Sequence, residues 1–261
     1  MSYKNEEKYH YNNKVEFKKN FTNDVFLSLS DLLVFHSHLF FEELVLALTQ
    51  ISINKITLDY GCGIGTKSAK FASLTNKIIG IDISEKSIEV AKERKIKNAE
   101  YFVMDCEKTE FENNKFDLVF DYGTFSSIDI SKAVPEIIRI MKPNGSLIAI
   151  ETYGHNPLMN IKRKINVLLG KRTAWSAQHI MRKKDWEFVS QHFESCKIKY
   201  FGTISYLFLP VVKICPEKFR DKLLNNIYTF DEYISNIMLF KKFSFKTVVI
   251  LSNPIINSKE T

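Results

Sequence analysis

Short apolar segments alternate with helical patterns over residues 55–151, and this alternation restricts the fold more than any other feature of the sequence. Five strands and three helices are predicted there, and the strand segments are apolar on both faces. Strands of this kind form a parallel sheet that helices cover on both sides. The predicted strands are 55–58, 78–81, 101–104, 116–120 and 146–151, and the predicted helices are 66–74, 84–94 and 131–141, with a turn at KPNG (142–145).

The rest of the chain adds two strands and three helical regions. One or two amphipathic helices are predicted over 24–50, and helical insertions over 153–195 and 216–242. Two further strands are predicted over 197–207 and 245–252. We therefore expect an α/β fold with a sheet of about seven strands and a helical cap above its carboxyl edge, where open α/β sheets bind ligands.

The composition favours one α/β domain, or one domain with a cap, in the cytoplasm. The chain has 261 residues, of which 45% are hydrophobic, and this suffices for a full core. The amino terminus lacks the apolar region of a secretory signal, and no apolar stretch reaches the ~20 residues of a bilayer span. The four cysteines form no CxxC pair, so we expect reduced thiols rather than a metal site or a disulfide framework.

Positive charge is concentrated in one segment. The formal net charge is +7, and residues 152–184 contain eight Lys or Arg residues and no Asp or Glu. The remainder of the chain is therefore close to neutral. A local positive field suits an anionic small molecule, an acidic lipid surface or nucleic acid, and a solvated helix face is the alternative explanation.

A glycine-rich turn, LDYGCGIGTKSAKFA at 58–72, follows the first predicted strand. Such a turn lets a ligand approach the backbone closely and presents amide groups at a helix amino terminus. The spacing is G-x-G-x-G, whereas the dinucleotide fingerprint is G-x-G-x-x-G, and Thr66 stands at the place of its final glycine. The turn therefore predicts a nucleotide-like cofactor other than a dinucleotide.

Three aspartates at successive strand ends indicate which cofactor it is. Asp59 would repel a pyrophosphate, but it would attract a molecule that carries an ammonium and a sulfonium group. Asp82 ends the second strand, where a carboxylate can accept hydrogen bonds from ribose hydroxyls. Asp105 follows the third strand and can accept a hydrogen bond from an adenine amino group. Together they favour S-adenosylmethionine, although each alone could be a helix cap or a turn residue.

Four successive motifs within residues 55–151 carry a family resemblance: LDYGCGIGTKSAKFA, GIDISEKSIEVAKER, YFVMDCEK, and FDLVFDYGTF with EIIRIMKPNGSLIAIE. In order and spacing they resemble the motifs of class I (Rossmann-like) S-adenosylmethionine-dependent methyltransferases. The resemblance implies a seven-stranded, mostly parallel sheet with a reversed final hairpin. It also implies that the cofactor lies across the first two strand ends. The implied cofactor-binding residues are Asp59, Tyr60, Gly61, Cys62, Gly63 and Gly65 (methionine side), Asp82 and Ile83 (ribose), Asp105 and Cys106 (adenine), and Asp121 and Tyr122 (near the reactive methyl group).

The predicted elements divide the chain into regions. Residues 1–50 are expected to form an N-terminal helical cap and residues 51–152 the cofactor-binding core. Residues 153–195 form a basic helical insertion that caps the acceptor, and residues 196–261 hold the last two strands with the insertion 216–242. GHNPLMNIKRKINVLLGKRTAWSAQHI, in the basic insertion, is similar to insertions of methyltransferases that act on small molecules or lipid-linked precursors.

The expected reaction is methyl transfer to a small anionic metabolite, with O-, N- or C-methylation unresolved. The fourth strand ends in DYGTF rather than in NPPY or DPPY, which disfavours methylation of nucleic-acid bases. An RNA methyltransferase and a non-catalytic cofactor-binding protein of the same fold are the alternatives. The oligomeric state is not predicted, and peripheral contact with a membrane stays open.

Side chains for the acceptor are expected in the basic insertion. Methyl transfer depends mainly on positioning, and a base is needed only if the acceptor loses a proton. Tyr153, His155 and His179 are the predicted catalytic residues, and Arg172 and His179 are predicted to contact the substrate; a structural or surface role is the alternative for each. Three roles are open for the apolar run 204–215 and the aromatic segment 227–240. They could line an acceptor pocket, contact a membrane or pack within the core or the cap.

Overall fold

The strands form a single seven-stranded sheet in the computed structural model, which describes residues 2–19, 29–50 and 55–256. The order across the sheet is β3-β2-β1-β4-β5-β7-β6. Neighbours among β1 to β5 are parallel, and β7 is antiparallel to both β5 and β6, which confirms the predicted fold. The strands are β1 (Ile56–Tyr60), β2 (Lys77–Asp82), β3 (Ala99–Val103), β4 (Phe116–Asp121), β5 (Met141–Thr152), β6 (Phe193–Phe201) and β7 (Lys246–Pro254).

Helices lie on both faces of the sheet and along its carboxyl edge. The described part of the chain contains α1 (Tyr3–Lys19), α2 (Leu29–Gln50), α3 (Thr66–Phe71), α4 (Glu85–Glu93), α5 (Ile130–Ile140), α6 (Pro157–Leu168), α7 (Ala174–Gln178), α8 (Lys183–Ser190), α9 (Leu209–Ile214) and α10 (Glu217–Asn236). Residues 24–28 of the predicted segment 24–50 lie outside the described residues. None of the described helices is both long and apolar enough to span a bilayer.

Two apolar cores lie on opposite faces of the sheet, because successive side chains of a strand point to opposite sides. In β4, Val119 belongs to the core that contains residues of α5 and α8. Its neighbours Leu118 and Phe120 belong to the core that contains residues of α2 and α3. Both faces are therefore apolar, as the continuous apolar strand segments predicted.

Two local differences from the prediction have structural causes. Residues 202–207 are not a strand, because β6 ends at Phe201, Gly202 has a φ of +68° and the Asp231 carboxylate accepts the backbone N–H of Gly202 at 2.8 Å. The predicted turn 142–145 lies inside β5 as an irregularity: Met141 pairs with Phe116 and Ser146 pairs with Leu118.

Both insertions begin at the carboxyl edge of the sheet. Thr152 at the end of β5 pairs with Lys246 at the start of β7, and Lys246 also pairs with Phe201 at the end of β6. The segment α6 to α8 follows β5, and the segment with α9 and α10 follows β6. The insertions therefore leave the sheet at the edge where a ligand is expected.

Candidate active site

The glycine-rich turn after β1 has a backbone conformation that explains its glycines. Gly61 and Gly63 have φ values of +76° and +53°, in the left-handed region that favours glycine. A Cβ atom on Gly61 would lie 2.1 Å from Thr124 Oγ1, whereas a Cβ on Gly63 would meet no heavy atom within 4 Å. The Cys62 N–H donates to the Ile81 carbonyl at 2.8 Å and fixes the turn against β2. The backbone of Gly63 therefore faces open space beside the strand ends.

Asp82 links this turn to the end of β2. Its Oδ2 accepts the Gly63 N–H at 2.9 Å, and its Oδ1 accepts the Ser84 N–H at 2.8 Å. Burial raises the pKa of Asp82, although both backbone hydrogen bonds oppose the shift. The two backbone hydrogen bonds thus hold the carboxylate beside the turn.

Asp59 lies under the same turn, near the end of β1. Its Oδ2 accepts the Ser68 N–H at 3.1 Å and also the Ser68 hydroxyl. Burial raises the pKa of Asp59 to about 7, against the effect of the Ser68 hydrogen bonds. A bound ammonium group would favour the ionised form and lower this pKa again.

A cavity of about 490 Å³ lies at the carboxyl ends of β1 to β4. This volume is within the usual range for a small-molecule site. The predicted cofactor residues that line the cavity are Asp59, Gly61, Cys62, Gly63, Asp82, Ile83, Asp105, Cys106 and Tyr122. The structure therefore brings most of the predicted set to one site.

Three predicted cofactor residues lie behind the wall of the cavity. The buried hydroxyl of Tyr60 donates to the Cys106 carbonyl. A Cβ on Gly65 would lie 3.0 Å from the Tyr101 ring, so Gly65 permits close packing before α3. Asp121 is fully buried, and its Oδ1 accepts the Thr124 N–H at 2.8 Å. These residues support the wall and do not face the cavity.

Helix α1, in the region expected to form an N-terminal cap, closes one side of the cavity, but the sequence analysis did not assign its residues to the site. Six of its residues line the cavity, namely Tyr3, Lys4, Glu7, Tyr11, Lys14 and Val15. Lys4 Nζ lies 2.6 Å from Asp105 Oδ2 and 2.7 Å from Glu107 Oε2. The Tyr3 hydroxyl also donates to Glu107, a lining residue absent from the predicted set. The usable signal was the i, i+4 spacing of Tyr3, Glu7, Tyr11 and Val15, which places them on one helix face.

The basic insertion contacts α1 above the cavity. The Trp175 ring stacks on Tyr3 with 3.8 Å between ring centroids and on His179 with 3.6 Å. The Thr173 hydroxyl donates to the buried carboxyl of Glu7. Helix α7 and helix α1 are therefore in direct contact at the carboxyl edge.

The three predicted catalytic side chains lie outside the set of residues that line the cavity. His179 is exposed, with Nδ1 2.9 Å from the Trp175 carbonyl oxygen. His155 is exposed, and its Nε2 accepts the Lys183 N–H at 3.2 Å, while burial lowers its pKa. Tyr153 is buried against Tyr200, and burial raises its pKa. The rings of Tyr153 and His155 are 4.9 Å apart, and His179 makes its contacts elsewhere.

Arg172, the predicted substrate contact, lies half-buried directly behind the cavity wall. Its Nη2 donates to Ser126 Oγ at 3.2 Å and to the Ser176 carbonyl at 3.0 Å. Ser127, the neighbour of Ser126, lines the cavity and lies 3.3 Å from the Tyr11 hydroxyl, measured from Oγ. The Arg172 guanidinium thus contacts the residue next in sequence to Ser127, which lines the cavity.

Two more cations lie near Arg172. Arg163 is buried and donates to the Tyr153 carbonyl at 3.0 Å. Burial, together with the charge of Arg172, lowers the pKa of Arg163 to about 10. Burial and Arg172 also lower the pKa of Lys246, against the opposing effect of Glu151. The three cations therefore influence one another at the ends of β5 and β7.

A buried carboxyl pair lies next to these cations. Burial raises the pKa of both Asp121 and Glu151, and the negative charge of Glu151 raises that of Asp121 further. Glu151 Oε1 accepts the Phe125 N–H at 2.6 Å. Two carboxyl groups in contact do not both ionise readily, so the pair holds a proton more strongly than two separate carboxyl groups would.

Comparison with known proteins is consistent with this geometry. Residues 58–149 match a family model described as a methyltransferase domain. The ubiquinone/menaquinone biosynthesis C-methyltransferase UbiE of Escherichia coli O1:K1 is 28% identical over 132 residues, which are 47% of this chain and 53% of UbiE. The chain thus spans about half the length of the curated relatives it matches.

Solved structures share the fold over most of the chain. Geranyl diphosphate C-methyltransferase from Streptomyces coelicolor A3(2) superposes with a TM-score of 0.62 at 14% identity, covering 98% of this chain and 99% of that one. Haemonchus contortus phosphoethanolamine N-methyltransferase 2, in complex with S-adenosyl-L-methionine, gives a TM-score of 0.58 at 19% identity and covers 90% of this chain and 59% of that one. At these identities the likeness establishes the fold. Together with the family match over residues 58–149, it shows a methyltransferase domain with the class I, Rossmann-like fold.

Proposed function

We propose that the chain transfers the methyl group of S-adenosylmethionine to a small anionic acceptor. The cofactor part of the proposal is supported by Asp59, Asp82 and Asp105, which line one cavity together with Gly63. In this arrangement Asp59 faces the methionine ammonium, Asp82 accepts the ribose hydroxyls and Asp105 borders the adenine. Lys4 then covers the adenine end, because it already pairs with Asp105.

One observation carries the acceptor part of the proposal, which is the cation cluster beside the cavity. Arg163 and Arg172 donate their described hydrogen bonds to neutral oxygens, and Lys246 lies close enough for the three charges to interact. The nearby pair of Asp121 and Glu151 offsets only part of this charge. A net positive field at a half-buried site favours an anion, because low dielectric strengthens the attraction.

Methyl transfer requires mainly that the protein position the two reactants. When bound, S-adenosylmethionine would supply an activated methyl group that an electron pair of the acceptor displaces from sulfur, with the carbon–sulfur electrons remaining on the released S-adenosylhomocysteine. Orientation of the two reactants supplies most of the acceleration. The contribution of this chain is therefore to hold the cofactor in the turn, to orient the acceptor through its charge and to exclude water under α1.

The names of related proteins agree with an anionic acceptor. One structural neighbour is named for geranyl diphosphate and another for phosphoethanolamine, and both names denote phosphorylated molecules. These neighbours share the fold at low identity, so they support the acceptor class and leave the acceptor itself open. UbiE and the first neighbour are C-methyltransferases, whereas the second is an N-methyltransferase.

The test is release of S-adenosylhomocysteine with different acceptor pools. A bacterial metabolite extract is separated on an anion exchanger, and the bound fraction, the unbound fraction, total RNA and buffer are compared. We expect turnover with the bound fraction. Turnover with the unbound fraction alone contradicts the anionic acceptor, and steeply salt-dependent turnover with RNA supports an RNA methyltransferase. Cofactor binding without turnover in any pool supports a non-catalytic protein.

Arg172→Ala and Lys184→Ala form a matched pair for the acceptor site. Both remove one cation from the basic insertion, but Arg172 lies behind the cavity wall, whereas Lys184 is exposed. At limiting amounts of the active fraction, Arg172→Ala should lower kcat/KM about tenfold to a hundredfold, or ~1.5–3 kcal/mol, and Lys184→Ala should change it little. Cofactor affinity should stay nearly constant in both. Equal turnover by Arg172→Ala and wild type contradicts the proposed role.

A further inference from the structure

Helix α6 is oriented with its apolar side toward solvent. Leu168 is 85% exposed, and Ile161, Ile165 and Leu169 are each at least 49% exposed. Leu169 continues the helical turn, because its N–H donates to the Ile165 carbonyl at 3.0 Å. The opposite side of the helix buries Arg163, which is only 5% exposed. This is the reverse of the usual arrangement in a surface helix, where the apolar side faces the core.

The exposed apolar side chains form one stripe between lysines. At about 100° per residue, Ile161, Ile165, Leu168 and Leu169 fall within an arc of about 100°. Lys162 follows one side of this arc and Lys164 the other, and both are exposed. We call these four apolar residues and the two lysines the α6 surface.

The surroundings of the α6 surface are positive. Residues 152–184 contain eight Lys or Arg residues and no Asp or Glu, and the exposed Lys171 lies three residues after the helix end. An amphipathic helix with an apolar stripe and flanking lysines is the usual element that lies in the interface of a bilayer. Basic residues beside such a stripe are attracted to anionic lipid head groups.

We infer that the α6 surface docks this protein on an anionic phospholipid membrane. The apolar stripe enters the boundary between head groups and acyl chains, and Lys162 and Lys164 contact the lipid phosphates. Helix α6 begins five residues after the end of β5, at the sheet edge that carries the cavity. Docking therefore brings this edge close to the lipid.

A second copy of the chain fits the α6 surface less well. A specific protein interface buries about 800 Å² on each partner and involves some 20–30 residues per side. The stripe has four apolar side chains, and a symmetric contact would place the lysines of two copies near one another. Its size and charge therefore favour lipid.

The experiment is co-sedimentation of the full chain with vesicles of phosphatidylcholine alone and of phosphatidylcholine with phosphatidylglycerol. Wild type should sediment with the anionic vesicles, and added salt should release it. Ile165→Glu with Leu168→Glu should lower the partition coefficient at least tenfold. The control is Ile255→Glu with Ile256→Glu, which makes the same charge change at two exposed isoleucines after β7 and should bind like wild type.

A second variant keeps the inference testable if the glutamate pair disturbs folding. Lys162→Ala with Lys164→Ala changes only exposed side chains, and it should lower binding to anionic vesicles about tenfold or more. Equal binding of this variant, the glutamate pair and wild type overturns the inference, as does equal binding to neutral vesicles. If light scattering shows a wild-type dimer that the glutamate pair dissociates, and wild type does not bind vesicles, then the α6 surface binds a second copy of the chain instead of lipid. These readouts need no acceptor, so they are independent of the proposed function.

Discussion

Gly63→Val tests whether the glycine-rich turn holds the cofactor. A Cβ atom at Gly63 meets no protein atom within 4 Å, and Gly63 lines the cavity. The valine side chain would therefore enter the space assigned to the methionine part of S-adenosylmethionine. The backbone φ of +53° adds strain of about 1–2 kcal/mol, or more for a β-branched residue.

Gly170→Val is the matched control for the backbone strain. Gly170 has a φ of +66°, is exposed in the loop between α6 and α7, and would also carry a Cβ with no heavy atom within 4 Å. Both variants should lose about 1–2 kcal/mol, which corresponds to a decrease in Tm of roughly 2–8 °C in a chain of this size. The two substitutions then differ only in where the side chain lies.

Thermal unfolding with and without S-adenosylhomocysteine separates the two effects. At a ligand concentration of about 100 times Kd, binding adds about 2.7 kcal/mol to the free energy of unfolding. Wild type and Gly170→Val should show this gain as an increase in Tm of roughly 5–10 °C, and Gly63→Val should show almost none. A full ligand-induced shift in Gly63→Val would refute the placement of the cofactor at this turn.

Two further predictions concern the carboxylates of the turn. Asp82→Ala should weaken S-adenosylmethionine binding by ~1.5–3 kcal/mol, measured by calorimetric titration, and unchanged affinity in a folded variant removes Asp82 from the site. For Asp59, whose pKa is raised to about 7, the carboxyl is protonated below pH 7 and must release its proton to pair with the cofactor ammonium. Kd should therefore rise about tenfold per pH unit as the pH falls below 7 and level off above it; a constant Kd between pH 5.5 and 7 contradicts this role.

The cofactor side of the site could be predicted because strand ends converge in a parallel sheet. Asp59, Asp82 and Asp105 each stand at or directly after a predicted strand, and in the structure all three line one cavity. The turn itself could be predicted because a left-handed backbone conformation favours glycine, as at Gly61 and Gly63. These features depend on local patterns and on strand order, which a sequence contains.

The sequence predicts a helical cap over residues 1–50, but the spacing of side chains on α1 does not by itself show that this face lines the cofactor cavity. Lys4 and Glu7 point toward carboxyl and hydroxyl partners more than 100 residues away, and such pairings leave no periodic apolar signal. The contacts of His155 and Tyr153 also could not be predicted from their place in the sequence. Their position follows β5 directly, but Tyr153 packs into the core against Tyr200, and His155 accepts a hydrogen bond from Lys183.

The orientation of α6 connects the proposed acceptor site with the inferred membrane surface. Burial of an apolar side chain contributes about 1.5–3 kcal/mol, and burial of a cation without an anionic partner is unfavourable. These two terms alone would turn the stripe of α6 toward the protein core and Arg163 toward solvent. The structure has the opposite arrangement, with Arg163 held by the Tyr153 carbonyl near Arg172 and the stripe exposed. An anion beside Arg163 and lipid against the stripe would each offset one of these two costs. Under the proposed function and the inferred docking, the same helix supplies positive charge to the acceptor side and an apolar face to the membrane. Loss of vesicle binding should then leave turnover of a water-soluble acceptor intact.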